Sequence, residues 1–266
     1  ASYVYSSQQD REPVLEISSS MDIGEHPAGN RGDVWIFTNA DRVRMYRNDD
    51  LIKEYSPADS KYKNLRHPPI LIDDYIGDRM IKEEGFTPHQ NKIVKESLNY
   101  ISRYGMDNIP PGIKVRLVEA MTLYRMPPEE AYRLYGKYMG NWGDKAVVFR
   151  FEAIKDDKVV KTVTKAVARD IHLEVNADHT ELIDGITYDV ASLRIKVCDE
   201  YGNVASFFNT PLRAELEGPI EIAGPEYVHI AGGMGGMYIK TTGSEGKAAV
   251  TIHLPKEYGY LKKNAL

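Results

Sequence analysis

The spacing of apolar and polar positions changes period twice along the chain. Asp33-Val-Trp-Ile-Phe-Thr-Asn39 is short, aromatic and β-branched, and Gly32 and Asn39 bound it, which predicts a strand. Arg42-Val-Arg-Met-Tyr-Arg47 alternates, with Val43 and Met45 on one face and Arg42, Arg44 and Tyr46 on the other. Asn48-Asp49-Asp50 is a turn signal, and Leu51-Ile-Lys-Glu-Tyr55 resumes the extended pattern. The two segments predict a hairpin. Ile70-Leu-Ile72, after Pro68-Pro69, predicts a further strand.

From residue 86 the period becomes helical. Thr87 is a cap followed by Pro88, Val94, Leu98 and Ile101 recur at spacings of four and three, and Gly105 closes the segment. After Pro110-Pro111, Val115, Val118 and Met121 recur every three residues. Pro127-Pro128-Glu129-Glu130 opens a third helix, lined by Ala131, Leu134, Tyr135 and Tyr138 and ended by Gly140. Three short helices are too small for a robust core of their own, so this unit is expected to lean on a neighbour.

From residue 144 short alternating runs return: Val147-Val-Phe149, Lys158-Val-Val-Lys161, Ile171 to Val175, Leu193 to Val197, Ala214 to Leu216, Tyr227 to Ile230, Tyr238 to Thr241 and Ala249 to Leu254. Turn signals separate them, which predicts an antiparallel sandwich. The predicted fold class is mainly β with an α insert: immunoglobulin-like β-sandwich domains over 1–85 and 144–266 flank a three-helix unit over 86–143.

Composition narrows the function. The chain has 266 residues, with 34 Lys and Arg against 39 Asp and Glu. That mildly acidic balance lacks the basic footprint of a nucleic-acid binder. No stretch approaches a membrane span, and the start has no signal-peptide pattern, which favours a bacterial, cytoplasmic setting. Ala1 stands where a methionine would, so the chain reads as processed or as a piece of a longer protein. The one cysteine, Cys198, excludes an internal disulfide and a Cys-rich zinc site, and reads as an inert, half-buried thiol.

Glycoside hydrolysis needs two carboxyl groups facing each other across about 5–9 Å. The adjacent acid pairs are Asp49-Asp50, Asp73-Asp74, Glu83-Glu84, Glu129-Glu130, Asp156-Asp157 and Asp199-Glu200. They read as turn, helix-start or solvated groups rather than a converging pair. His172 and His179 flank a predicted turn without a third ligand, so no metal or cofactor is expected. Gly232-Gly-Met-Gly-Gly236 resembles a phosphate cradle but does not open a helix, and Gly246-Lys247 lacks the flanking residues of a P-loop. The 18 Tyr and 2 Trp are the remaining hint, because aromatic faces stack on sugar rings. Tyr132, Tyr135, Tyr138 and Trp142 cluster around the third helix at a spacing that also suits core packing. The candidate carbohydrate-binding residues are Trp142, Trp35 and Tyr138; no catalytic residue is assigned.

Several phrases carry a resemblance. Tyr3-Val-Tyr-Ser-Ser-Gln-Gln-Asp10 with Pro13-Val-Leu15 resembles the end of the catalytic barrel in β-galactosidase-type enzymes of glycoside hydrolase family 2. Val34-Trp-Ile-Phe-Thr-Asn-Ala-Asp-Arg-Val-Arg-Met-Tyr-Arg-Asn48 is similar to a phrase of the sandwich that follows. His67 to Asp78, Leu134 to Gly143, Phe151 to Asp156 and Gly232 to Tyr238 are similar to a clostridial-type branch. The resemblance implies that the two catalytic glutamates lie upstream of this sequence. It implies an accessory C-terminal region that supports the barrel of the same parent chain, shapes substrate access or joins a homo-oligomer. The alternatives are a carbohydrate-binding module that takes an oligosaccharide and a structural protein–protein module. No nucleic-acid or membrane partner is expected.

Overall fold

Strand pairing, not the change in hydrophobic period, sets the boundary between the two units of the chain. The computed structural model describes residues 2–21, 30–140 and 147–253. It divides the chain into units of 1–167 and 168–266.

In the first unit, α1 (Ser2–Ser6) leads to β1 (Leu15–Ile17). β1 and β5 (Ile70–Leu71) pair antiparallel with the two edges of β2 (Trp35–Thr38). β3 (Arg42–Arg47) and β4 (Asp50–Tyr55) form the expected hairpin, with Asn48 at φ +54°, a conformation asparagine tolerates. The other edge of β3 takes β6 (Phe149–Lys155), which pairs with β7 (Lys158–Lys165), so the second sheet runs β4-β3-β6-β7.

β6 and β7 were expected in the last unit, beginning at 144; they complete the first, and the last begins at 168. The reason is register. Val43 lies opposite Ala153, Met45 opposite Phe151 and Arg47 opposite Phe149, so the inward positions of the two strands coincide. A pairing across about a hundred residues leaves no local mark on either strand.

The insert holds α2 (Arg79–Glu84), α3 (Pro88–Tyr104), α4 (Pro111–Leu123) and α5 (Pro128–Tyr138), one helix more than expected. Thr87 caps α3 by accepting the Gln90 N–H at 3.1 Å, and Gly105 ends it at φ +76°. Ile93, Val94, Leu98, Leu134 and Tyr138 join Ile36, Met45, Phe149 and Phe151 in one buried cluster. The helices therefore lean on the sandwich and share its core. α4 departs from this pattern: of its side chains only Ala120 is buried, while Val115, Val118 and Met121 are 65%, 59% and 53% exposed.

The second unit is a β-sandwich. β8 (Ile171–Ala177), β9 (Val190–Asp199), β11 (Ile220–Ile222) and β13 (Met234–Thr241) form one sheet in the order β11-β13-β9-β8. β10 (Leu212–Glu217), β12 (Tyr227–Val228) and β14 (Ala249–His253) form the other, in the order β12-β10-β14. Leu173, Leu193, Ile195, Val197 and Ile239 pack against Leu212, Ala214, Val228 and Ile252 between them. No helix among the described residues is long and apolar enough to cross a membrane.

The Asn39-Ala-Asp41 phrase has a mechanical role. Asn39 is buried; its Nδ2 donates to the carbonyls of Gln9 and Glu12, both at 2.7 Å, and its Oδ1 accepts the Val14 N–H at 2.8 Å. One side chain thus fixes the segment entering β1. Asp41 Oδ2 accepts the Asp156 N–H at 2.9 Å and steadies the β6–β7 turn, where Asp156 and Asp157 both have positive φ. Asn39→Ala leaves buried backbone groups without partners and is expected to cost about 2–3 kcal/mol. Thermal unfolding and limited proteolysis check this: the midpoint falls and cleavage appears first between residues 9 and 14. Unchanged stability would remove Asn39 from this role.

Candidate functional site

The three sequence-predicted aromatics have different fates. Trp142 lies outside the described residues. Tyr138 is fully buried, and the Arg79 guanidinium carbon stands 5.4 Å from its ring centre, so no face of it is open to a sugar. The helical spacing that flagged Tyr138 reflects packing. Trp35 stays half-exposed on β2 because alternation turns Ile36 inward and Trp35 outward.

Trp35 is part of a corner of aromatic and charged groups. The Tyr62 ring, 43% exposed, lies 5.6 Å from the Trp35 ring at an interplanar angle of 50°. Lys61 Nζ stands 5.4 Å from the Trp35 ring centre and 5.1 Å from that of Tyr62. Asp33 lies two positions before Trp35, just ahead of β2. Asp33 Oδ1 accepts bonds from Tyr104 Oη and Arg103 Nη2, each at 2.5 Å. The Tyr104 bond chiefly, then Arg103 and the charge of Lys61, hold the Asp33 carboxyl below its ordinary range, so it stays ionised. The Tyr100 ring lies 5.0 Å from that of Tyr104 and extends the surface. Sequence reading found Trp35 and missed Tyr62, Lys61, Asp33, Arg103 and Tyr104. They come from the segment before β2, an irregular loop and the end of α3, and no motif joins them.

Of the paired carboxylates, Glu83 and Glu84 converge. They are neighbours on α2, and both meet α5. Lys137 Nζ lies 2.9 Å from Glu83 Oε2 and 2.7 Å from Glu84 Oε1, and Arg133 Nη2 donates to Glu84 Oε2 at 2.6 Å. The Tyr138 hydroxyl lies 2.8 Å from Glu84 and 3.1 Å from Glu83. The bonds from Arg133 and then Lys137 bring Glu84 from 4.5 down to about 2. Glu83 is also lowered, by Lys137 and Arg79, against the opposing effect of its burial. A glycosidase acid needs a raised carboxyl, and these are the reverse. The pair is an anchor between two helices.

The other lures resolve similarly. A groove of about 580 Å³ is lined by Asp41, Arg42, Glu54, Tyr55, Ser56, Asp156 and Asp157, and Arg42 pairs with Asp157 and Glu54 across it. His172 and His179 pair with neighbouring carboxylates, and the described residues hold no group of three metal-ligating side chains. Cys198 is buried, and burial pushes its thiol up to about 11. In the glycine run, a Cβ on Gly233 would stand 2.5 Å from the Ala205 carbonyl oxygen, and one on Gly235 2.6 Å from that of His229. The Gly233 N–H donates to Phe208 O at 2.8 Å. The glycines admit close backbone, and the run is no anion cradle.

No family model matches the chain. It is 28% identical over 236 residues to a β-galactosidase of Thermoanaerobacterium thermosulfurigenes, covering 88% of this chain and 25% of that one. It is 32% identical over 117 residues to a β-galactosidase of Rhizobium radiobacter, covering 44% of this chain and 82% of that one. In structure it is similar to a glycosyl hydrolase family 2 member from Bacteroides cellulosilyticus, with a TM-score of 0.53 and 12% identity, covering 100% of this chain and 30% of that one. The chain thus spans about a quarter of the first relative.

The Glu83–Glu84 anchor gives a pH prediction. A carboxyl lowered in the folded state contributes its stabilisation in full above its unfolded value, near 4.5, and loses it as pH falls toward about 2. Glu84→Gln is expected to cost about 1–3 kcal/mol at neutral pH. It should also flatten the fall of melting temperature between pH 4.5 and 2. An acid limb as steep as that of the unaltered chain would contradict the assignment.

Proposed function

The chain belongs to the β-galactosidase-type glycoside hydrolases of family 2, and from that premise we propose that it is a non-catalytic accessory region of a longer enzyme. Its work is to support the catalytic barrel of the same polypeptide. The observation that carries this reading is the coverage: nearly all of this chain aligns with only a quarter of a β-galactosidase. The site chemistry agrees, because the Glu83–Glu84 pair is locked in ion pairs between helices.

The exposed stripe of α4 supports a docking role. Val115, Val118 and Met121 project from a helix whose other side meets α3. Three neighbouring apolar side chains left in water are a reservoir of burial, about 1.5–3 kcal/mol for each one fully covered. The remaining length of the enzyme supplies a covering partner, and its barrel is the occupant assigned here.

The chain alone should not hydrolyse an aryl β-galactoside; inhibitor-sensitive turnover by the pure chain would overturn the reading. Val118→Asp with Met121→Lys should change the stability of the isolated chain by no more than about 0.5 kcal/mol. The same pair, placed in a longer polypeptide that carries the barrel, should lower the temperature at which galactosidase activity is lost. Equal inactivation temperatures would remove α4 from the contact.

A further inference from the structure

We propose that the glycine turn before β13 and the loop between β9 and β10 form a preset apolar tip, Phe207 with Met234, that seats in an apolar recess elsewhere on the same polypeptide. The proposal rests on the reading of the chain as part of a longer enzyme, and it gives the second unit a contact of its own. The two segments are locked together. A Cβ on Gly233 would stand 2.5 Å from the Ala205 carbonyl oxygen and 2.8 Å from Val204 Cγ1, so glycine is what lets them meet. Gly232 and Gly233 both have positive φ, +59° and +76°. The Gly233 N–H donates to Phe208 O at 2.8 Å, and the Gly232 N–H donates to Asn209 Oδ1 at 2.9 Å. Asn209 Nδ2 in turn donates to the Phe207 carbonyl at 3.0 Å.

This joint sets two neighbouring phenylalanines to opposite tasks. Phe208 is 2% exposed and belongs to the core of the second sandwich, whereas Phe207 is 65% exposed. Met234, next to Gly233, is 53% exposed. Backbone already fixed around an exposed aromatic lowers the ordering cost of binding, as at the anchor residues of protein interfaces. The size of the tip selects its partner. One aromatic side chain buries about 150–250 Å², while a stable interface between separate proteins buries about 1,200–2,000 Å². A second copy or an unlinked protein is held too weakly by so small a contact. A surface on the same polypeptide is already present at an effective concentration of about millimolar, where a small contact suffices. This chain matches 25% of the β-galactosidase of Thermoanaerobacterium thermosulfurigenes, so the rest of such a polypeptide is there to supply the recess.

The test puts a reporter thiol beside the tip and leaves the tip intact. Ser206, which is exposed, is changed to cysteine (Ser206→Cys) in this chain and in a longer polypeptide that carries the barrel. Maleimide labelling of the native proteins is followed peptide by peptide by mass spectrometry, which separates this thiol from all others. It should label at least tenfold more slowly in the longer polypeptide. Adding Phe207→Ser should restore fast labelling there and leave the unfolding midpoint of this chain unmoved. A second measurement keeps the aromatic ring: p-benzoylphenylalanine in place of Phe207, photolysed in the longer polypeptide, should link to a peptide outside these 266 residues of the same molecule. Equal labelling in the two proteins overturns the contact, as does slow labelling that Phe207→Ser does not relieve. Links that join separate copies overturn the choice of partner. If labelling is equal while the α4 pair still lowers the inactivation temperature, this contact falls and the support of the barrel stands.

Discussion

Two buried arginines at the end of one helix hold the first unit together. Arg47 of β3 donates to the carbonyls of Tyr138 and Gly140, and Arg31 donates to that of Met139 at 3.2 Å. Both guanidiniums lie over the Phe149 ring, and Arg31 also over that of Tyr75. The last carbonyls of a helix have no partners within it and carry the negative end of its dipole. Two cations there satisfy the orphan acceptors and gain from the field. Burial, then the nearby Arg79 and Arg31, bring Arg47 down to about 9, so it keeps its charge at neutral pH. Desolvating two guanidiniums is expensive, and the arrangement holds only while α5, β3 and β6 stay in contact. Sandwich and helices consequently share one buried core, and β6 and β7, which follow the helices in sequence, return to the sheet that β3 begins.

How much of this was legible depends on the range of each interaction. The β3–β4 hairpin and both ends of α3 could be read because turn and cap residues act within a few positions. Alternation in Arg42 to Arg47 places Arg47 with Val43 and Met45, so a buried cation was implied by parity alone. Its partners, two carbonyls more than ninety residues away, left no trace beside it. The same limit moved β6 and β7 to the wrong unit. α4 failed differently: the spacing of Val115, Val118 and Met121 was read correctly as helical, but periodicity cannot tell a face covered within the chain from one covered by something else. At the aromatic corner only Trp35 was visible, because its companions meet through folding. Tyr138 and Trp35 looked alike as aromatic candidates, and their opposite burial separates them.

The molecule therefore presents two kinds of surface. One is apolar and helical, with nothing polar to specify a small ligand, and suits contact with another folded body. The other combines inclined rings, an ionised carboxylate and an ammonium group beside β2. Both lie on the first unit, whose interior is a buried apolar cluster tied at its margins by structural hydrogen bonds and ion pairs. Asn39, Asp41 and the Glu83–Glu84 pair, which resemble functional motifs in sequence, are spent on holding the fold. Under the proposed function, a scaffold so built would give a neighbouring catalytic domain a rigid partner.

The most direct test of that account is thermal inactivation of galactosidase activity in a longer polypeptide carrying the barrel, with this region present and with it removed. The account predicts that removal lowers the inactivation temperature by several degrees while the barrel's chemistry survives at low temperature. An unchanged inactivation temperature would contradict it, and the region would then have to be explained without reference to the barrel.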